Sequence, residues 1–331
     1  MRKFYYSIYG RSIDEFLDLK RNMGYKYKDA DWVFARFDQL AMDRGEFSVG
    51  IPKDFSDEWC RKGPNESEKT RYNRIQIIRQ FSLFLCQLGY PSHVPQLPSF
   101  KSVYTPYIFS IEEMNAIFTA CDRLRVAIHN PKSGLFIVPV LFRLLYGTGI
   151  RISEALFLSC DDVNLKDRYL ILRNCKNGKD RLVPVSDSLA QGCKDYLRYR
   201  NRIVQLNHKT GDTFFINPDG SAIDSRMAYR WFRRMLYKAG ISHGGKGLGP
   251  RMHDLRHTFS VHSLASMAEA GVDLYYSLPV LSTYLGHQSL AATDKYVRLT
   301  AEMYPSIIEN ANKLYPYLFP EIYKTQENES N

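Results

Sequence analysis

The sequence has 331 residues, of which 44% are hydrophobic and 24% are charged, and its formal net charge is +10. These proportions are typical of globular proteins, so the composition excludes a disordered, collagen-like or coiled-coil chain and predicts a folded protein of about two domains. The longest apolar run, between Gly134 and Leu145, is interrupted by Pro139 and Arg143 and is too short to cross a bilayer.

The first hundred residues are predicted to form a small bundle of helices. A capping box that starts at Ser12 predicts a helix from Ser12 to about Gly24. Apolar residues recur at helical spacing in three further segments, which are Asp31–Arg44, a shorter piece from Asp54 to Trp59, and about Thr70 to Leu88. Prolines clustered between Pro91 and Pro106 then disfavour helix and predict a linker, so the first domain is expected to span residues 1–105.

The remainder, residues 106–331, is predicted to be mainly helical with one β-hairpin. A capping box at Ser110 opens the first helix, and a largely buried helix, Ser133–Tyr146, ends at a glycine turn. Short apolar runs at Tyr169–Leu172 and Arg181–Val185 flank a polar turn, which predicts the hairpin. Helical patterns resume at Ser188–Arg200, Asp224–Ala239, Asp254–Ala268, Val280–Leu285, Ala291–Val297 and Ala301–Leu314.

Positive charge is spread over both predicted domains, since basic residues outnumber acidic ones on each side of residue 105. This distribution suits two domains that hold one polyanion between them, although many unrelated proteins reach a similar charge. Two local clusters favour nucleic acid over a merely solvated surface, because few acidic residues are interleaved with the basic ones. The candidate DNA contacts are Arg71 and Arg74 in the first cluster, and Arg226, Arg230, Arg233 and Arg234 along one helical face in the second.

Three short segments, far apart in the sequence, contain polar residues of the kind that phosphate chemistry needs. In the first, G-T-G-I-R-I-S-E, Arg151 and Glu154 follow a glycine turn at the start of a helix. In the second, H-D-L-R-H-T-F, His253 and Arg256 share one helical face because they are three residues apart. In the third, L-G-H-Q-S-L-A-A-T-D-K-Y, a tyrosine follows a histidine by nine residues. Each segment alone is a weak signal.

Together and in this order, the segments resemble the motifs of the tyrosine recombinase (phage integrase) family. The hairpin sequence C-K-N-G-K-D-R-L-V-P-V is similar to a further family motif, and the resemblance covers residues 110–300 well. It implies a two-domain DNA clamp, with a helical core-binding domain and a recombinase catalytic domain, of the Xer-like or transposon-encoded type. The stretch Ala268–Pro279 departs from the compact family pattern and predicts an extra loop or helical turn. The active-site residues that the resemblance implies are Arg151, Lys176, His253, Arg256, His287 and Tyr296, with Glu154 in support.

The resemblance implies a site-specific recombinase that breaks and rejoins DNA without a metal, ATP or another cofactor. Tyr296 would attack a DNA phosphodiester, displace the 5′ oxygen and form a 3′-phosphotyrosyl bond. Arg151 and Arg256 would stabilise the charge on the phosphate, because a guanidinium presents a planar fork of donors that matches phosphate oxygens. Glu154 is expected to orient Arg151 rather than to react.

Proton transfers would fall to side chains around the phosphate. His253 is the expected acceptor of the phenol proton, and His287 a hydrogen-bond donor to the phosphate. Lys176 on the hairpin would protonate the leaving 5′ oxygen, with Lys179 as the alternative because a slip of three residues would exchange them. His257 follows Arg256 on the helix, so it points elsewhere and is expected to be structural.

The expected partners are double-stranded DNA and further copies of the chain, which would form a tetramer on two DNA sites. Sister recombinases and accessory DNA-bending proteins are further candidate partners. An apolar stripe formed by Ile307, Ile308, Ala311 and Leu314 would either dock on a neighbouring protomer or pack inside its own chain. The alternative functions are DNA relaxation by a type IB topoisomerase-like enzyme and a catalytically silent DNA-binding regulator. The absence of a signal peptide and of any C-x-x-C pair predicts a cytoplasmic protein with reduced cysteines and no metal site.

Overall fold

A computed structural model describes residues 4–25, 27, 30–100, 105–125, 134–175, 178–207, 212–245 and 248–304. The chain divides into two compact units, Met1–Tyr104 and Thr105–Asn331, and each has its own hydrophobic core. The fold is mainly α-helical with one small β-sheet, which confirms the predicted fold class. In the described part of the chain no helix is both long and apolar enough to cross a membrane. The predicted stripe from Ile307 to Leu314 lies outside the described residues.

The first unit contains four described helices around an aromatic core. They are α1 (Gly10–Asn22), α2 (Ala30–Arg44), α3 (Lys53–Cys60) and α4 (Glu68–Gln87). Each helix contributes at least one buried phenylalanine ring to contacts with the others, and these rings are Phe16, Phe34, Phe37, Phe55 and Phe81. The predicted capping box at Ser12 does not form, because α1 already begins at Gly10 and Ser12 is buried inside the helix.

The second unit combines eight described helices with a three-stranded sheet. The helices are α5 (Ile111–Asp122), α6 (Val138–Thr148), α7 (Ile152–Leu156), α8 (Asp187–Asn207), α9 (Ser225–Lys238), α10 (Asp254–Glu269), α11 (Leu274–Leu285) and α12 (Ala291–Met303). The strands β1 (Val163–Asn164), β2 (Tyr169–Leu172) and β3 (Arg181–Pro184) are antiparallel in the order β1-β2-β3. The predicted hairpin is confirmed, whereas β1, with two residues, is too short to give a periodic signal.

Two predicted helix boundaries near the end of the described chain are wrong. Helix α11 begins at Leu274 rather than at Val280, and Pro279 lies inside it, so the extra stretch of sequence is partly helical. A proline removes one backbone hydrogen bond but does not end a helix whose other side is held by packing. Helix α12 is continuous to Met303, where two separate helices were expected, because the intervening residues contain no glycine or proline.

Helices α6 and α10 meet closely at Gly149, the residue that follows α6. Gly149 has a left-handed backbone (φ +59°), and a Cβ atom built there would lie 2.3 Å from Cδ1 of Phe259. Arg256 Nη1 also donates a hydrogen bond to the carbonyl oxygen of Gly149 at 2.7 Å. The close contact therefore fixes the start of the segment after α6 against the middle of α10.

Replacing Gly149 by alanine is expected to lower the free energy of unfolding by roughly 2 to 4 kcal/mol, because the left-handed backbone and the Phe259 ring both oppose a Cβ atom. Gly271→Ala is a matched control, since Gly271 has φ +80° but no atom within 4 Å of the added Cβ. The control is expected to cost about 1 kcal/mol. Urea denaturation of both variants measures the difference, and equal losses would contradict a close contact at Gly149.

Candidate active site

Arg151 is held by Glu154 at the start of α7. Arg151 is the N-cap residue of this helix, and its backbone N–H donates to Glu154 Oε2 at 2.8 Å. Its guanidinium Nη1 donates to Glu154 Oε1 at 2.7 Å. One carboxylate therefore fixes both the backbone and the side chain of Arg151, which agrees with the expected supporting role of Glu154.

A second arginine, Arg181 at the start of β3, contacts the same carboxylate. Its Nη2 donates to Glu154 Oε2 at 2.8 Å and its Nη1 to Glu154 Oε1 at 3.1 Å. Burial raises the pKa of Glu154, but the hydrogen bonds from Arg181 and Arg151 outweigh it, so the pKa lies below its usual value. Arg181 lies within the hairpin motif but was not among the predicted site residues. The structure shows that it links the hairpin to Arg151 through Glu154.

Arg256 is a buried cation whose guanidinium donates to several acceptors. Its exposed fraction is 2%, and its two Nη atoms donate to the carbonyl oxygens of Gly149 and Leu285 at 2.7 and 2.8 Å. Burial, and then the nearby charge of Arg151, lower the pKa of Arg256 to about 10, so it stays protonated at neutral pH. Because Gly149 lies two residues before Arg151, the hydrogen bond from Arg256 to the Gly149 carbonyl oxygen brings the two predicted phosphate-binding arginines to one site.

His287 contacts Arg256 from the turn before α12. Arg256 Nη2 lies 3.1 Å from His287 Nε2, and His287 Nδ1 lies 2.8 Å from the hydroxyl of Thr293. Because a guanidinium can only donate, Nε2 is the acceptor and Nδ1 carries the proton of the neutral ring. Burial, and then the charge of Arg256, lower the pKa of His287 to about 4, which favours this neutral form. Both ring nitrogens are thus engaged within the protein, and donation to a phosphate stays a prediction.

Tyr296, the expected nucleophile, is enclosed by histidines. Its exposed fraction is 1%, and its hydroxyl lies 2.8 Å from Nδ1 of His257. The ring of His287 is nearly parallel to the phenol ring at a centroid distance of 6.3 Å. Burial raises the pKa of Tyr296, and the charge of Arg256 partly offsets the rise. The hydroxyl is therefore a neutral phenol beside the arginines.

The predicted direction of His257 on α10 is wrong, whereas the role of His253 as proton acceptor stays a prediction. His257 does not point away from the site, because α12 packs against α10 on the side that His257 faces and brings Tyr296 to it. His253, the expected proton acceptor, is exposed at the start of α10, and its ring meets the ring of His257 edge to face at 4.8 Å. Among the hydrogen bonds of the described residues, the phenol is bonded to His257 and not to His253.

The hairpin lysines are only partly described. Lys176 lies outside the described residues, whereas Lys179 is exposed in the turn between β2 and β3. Its carbonyl oxygen accepts a hydrogen bond from the backbone N–H of Cys175 at 3.3 Å. The choice between Lys176 and Lys179 as the acid therefore stays a prediction.

The candidate DNA contacts of the first unit are not both available. Arg74 has an exposed fraction of 4%, forms an ion pair with Glu66 at 2.8 Å and donates to the carbonyl oxygen of Arg61 at 3.0 Å. The predicted phosphate contact at Arg74 is thus wrong, because its donors stabilise the fold from inside. Arg71 is half-buried and donates through Nε to the carbonyl oxygen of Cys60 at 3.0 Å. Contact of Arg71 with DNA stays a prediction.

The basic face of α9 is arranged as its spacing predicts. Phe232 and Met235 are fully buried, whereas the opposite side of the helix is exposed. The side chains of Arg226, Arg230 and Arg234 are exposed and that of Arg233 is half-buried. Their contact with DNA stays a prediction. Within the described ranges, no group of three or more His, Cys, Asp or Glu side chains is arranged to hold a metal ion.

The chain is similar to known proteins over most of the second unit and, in several cases, beyond it. The model of the phage integrase family matches residues 109–303. Tyrosine recombinase XerA of Pyrococcus furiosus is 33% identical over 176 residues, 52% of this chain and 53% of XerA. Tyrosine recombinase XerC of Thermodesulfovibrio yellowstonii is 27% identical over 273 residues, 80% of this chain and 81% of XerC. A crystal structure of the XerH site-specific recombinase, bound to palindromic difH substrate after cleavage, shares 17% sequence identity with this chain at a TM-score of 0.61. The match covers 87% of this chain and 80% of the XerH chain.

Proposed function

Because the chain belongs to the phage integrase family, we propose that it is a site-specific DNA recombinase that breaks and rejoins strands through a phosphotyrosyl bond at Tyr296. The observation that carries the proposal is the meeting of Arg151, Arg256 and Tyr296 in one site, from segments far apart in the sequence. Arg256 donates to the carbonyl oxygen of Gly149, two residues before Arg151, and contacts His287, whose ring is nearly parallel to that of Tyr296. Two fixed cations beside an enclosed phenol suit attack on a phosphodiester.

The two arginines would stabilise the transition state of this attack. When the phenol oxygen bonds to phosphorus, negative charge builds up on the nonbridging oxygens, and guanidinium forks can donate to those oxygens bidentately. Arg151 is oriented for this by Glu154, which is itself held by Arg181. The bond between phosphorus and the 5′ oxygen breaks as the bond to Tyr296 forms, so the phosphodiester energy is kept in the 3′-phosphotyrosyl bond.

The leaving 5′ oxygen needs a proton, and we assign its delivery to a lysine of the hairpin turn. If Lys176 is the acid, Lys176→Ala is expected to cleave ordinary DNA about 10² to 10⁴ times more slowly and to regain cleavage on DNA with a 5′-bridging phosphorothiolate. The sulfur of that substrate leaves without a proton. Single-turnover assays compare it with Lys179→Ala, and rescue of Lys179→Ala alone would move the role to Lys179.

Strand exchange requires two duplexes and several protomers, so we propose that the chain acts as a tetramer on two DNA sites in the cytoplasm. The exposed arginines of α9, with Arg71, would contact phosphates. Binding is then expected to weaken steeply with salt, since each phosphate contact releases counterions. Sister recombinases and DNA-bending proteins are candidate partners. Measuring DNA binding with and without them tests whether they are needed.

Covalent capture on random DNA tests the proposed function against its two alternatives. The protein is incubated with a library of nicked, randomised duplexes and denatured in SDS, and the DNA that stays attached is sequenced. A site-specific recombinase gives attached DNA enriched in one sequence. Attachment without enrichment would favour a topoisomerase-like relaxing enzyme. Enrichment in a native pulldown without attachment would favour the silent regulator.

A further inference from the structure

We propose that His257, rather than His253, accepts the phenolic proton of Tyr296 during strand cleavage and returns it during rejoining. The proposal rests on the function proposed above. It begins from the 2.8 Å contact between His257 Nδ1 and the Tyr296 hydroxyl, which joins residues 39 positions apart on α10 and α12. A base must lie within hydrogen-bond reach of the proton that it removes, and His257 meets this condition in the free protein.

The surroundings hold this contact in one geometry. His257 and Tyr296 have exposed fractions of 4% and 1%, so water competes little for their hydrogen bond. The ring of His253 covers one side of His257 at 4.8 Å, and the ring of His287 covers Tyr296 at 6.3 Å. The hydrogen bond between His257 and Tyr296 is therefore already formed and shielded from water before any DNA arrives.

His257 is neutral in the free protein and can offer a lone pair to the phenol. Charged and titratable groups face it from each neighbouring element: His253 and Arg256 on α10, His287 before α12 and Lys295 on α12. Burial, and then these groups, lower the pKa of His257 to about 3. A base this weak would not remove a proton from a phenol whose own pKa is raised by burial.

A bound phosphodiester would change this balance, because it brings negative charge among the same cations. Opposite charge nearby favours the protonated imidazole and raises its pKa. Each proton that moves during cleavage then has a donor and an acceptor. The Tyr296 proton moves to His257 Nδ1, the phenol oxygen bonds to phosphorus, and the 5′ oxygen leaves with a proton from the hairpin acid. Rejoining reverses each transfer, so the proton on His257 returns to the departing phenol.

The positions of His257 and His253 also predict different roles for the two residues. His253 is exposed at the start of α10 and contacts His257 rather than the phenol, so it is placed to meet an incoming phosphate. Loss of His253 should slow cleavage without making its rate rise tenfold per pH unit, because His257 still accepts the phenolic proton. Loss of His257 should change the dependence of cleavage on pH.

Single-turnover cleavage by His257→Asn tests the proposal, with His253→Asn as the matched control. Asparagine keeps a hydrogen-bond acceptor near the position of Nδ1 but cannot take a proton. On the nicked duplex recovered by covalent capture, His257→Asn is expected to cleave about 10² to 10⁴ times more slowly than the unmodified protein. Its rate should rise about tenfold per pH unit, because only the ionised phenol then reacts. Rejoining should slow by the same factor. An unchanged rate and pH profile in His257→Asn, or the rising profile in His253→Asn instead, would overturn the proposal.

Nitrogen NMR of the free 331-residue chain gives a test that does not depend on DNA cleavage. The chain has eight histidines, and all of them are labelled with ¹⁵N. The signals that disappear in His257→Asn are those of His257. Nδ1 is expected to be the unprotonated nitrogen and to shift in Tyr296→Phe. A proton on Nδ1 would overturn the proposal even if cleavage occurs. Failure of the unmodified protein to attach to any DNA would instead refute the proposed function.

Discussion

Tyr296→Phe is expected to bind DNA as the unmodified protein does but to form no covalent protein–DNA adduct. The substitution removes one oxygen from a ring that is otherwise fully packed, so the core formed by α10, α11 and α12 is kept. The cost to stability is the lost hydrogen bond to His257, about 1 kcal/mol. The loss of adduct should be complete, because no bond to phosphorus can form without the phenol oxygen.

Two tyrosines of the same core serve as controls for this variant. Tyr284 and Tyr304 pack against the hydrophobic cluster that contains Tyr296, and both carry hydroxyls. Tyr284→Phe and Tyr304→Phe are expected to retain adduct formation on nicked duplexes, measured by denaturing gels. Adduct that persists in Tyr296→Phe and disappears in either control would reassign the nucleophile.

Arg151→Lys is expected to lower the single-turnover rate of cleavage by about 10² to 10³-fold, although the charge is kept. An ammonium cannot reproduce the fork that contacts two phosphate oxygens, and it would also lose the geometry set by Glu154. DNA affinity should change by less than about tenfold, since one of many phosphate contacts is altered. Quench assays at saturating protein separate the rate from the affinity.

Arg143→Lys is a matched control for the loss of a guanidinium. Arg143 donates to both carboxylate oxygens of Asp122 at 2.9 and 2.7 Å, so it forms an arginine–carboxylate pair outside the active site. Its variant is expected to cleave at the rate of the unmodified protein. Equal rates for Arg151→Lys and the unmodified protein would mean that Arg151 contributes only charge.

The family resemblance implied the site residues, and local spacing explains the contacts between those that share one helix. Arg151 and Glu154 are three residues apart at a helix start, and neighbours at that distance meet on the helix surface. The basic face of α9 is predictable for the same reason. The hairpin followed from two short apolar runs and a polar turn, whereas the bond from Arg181 to Glu154 crosses between elements and gives no local signal.

Contacts between distant elements explain why the expectations for His257 and Arg74 are wrong. Helical periodicity shows that His257 and Arg256 point in different directions, but it does not show what lies in either direction. Tyr296 reaches His257 because α12 packs on α10, a tertiary contact. Arg74 carries a charge, which favours the surface, yet Glu66 and backbone carbonyls satisfy its donors inside the first unit.

We propose that Tyr296 carries the DNA during recombination, and one measurement tests this role directly. The protein is captured on nicked DNA, digested with a protease and a nuclease, and the peptide that carries a nucleotide is sequenced by mass spectrometry. We expect a 3′-phosphate linked to Tyr296 within helix α12. A nucleotide linked to any other residue, or a phosphate linked to Tyr296 through a 5′ end, would contradict the mechanism.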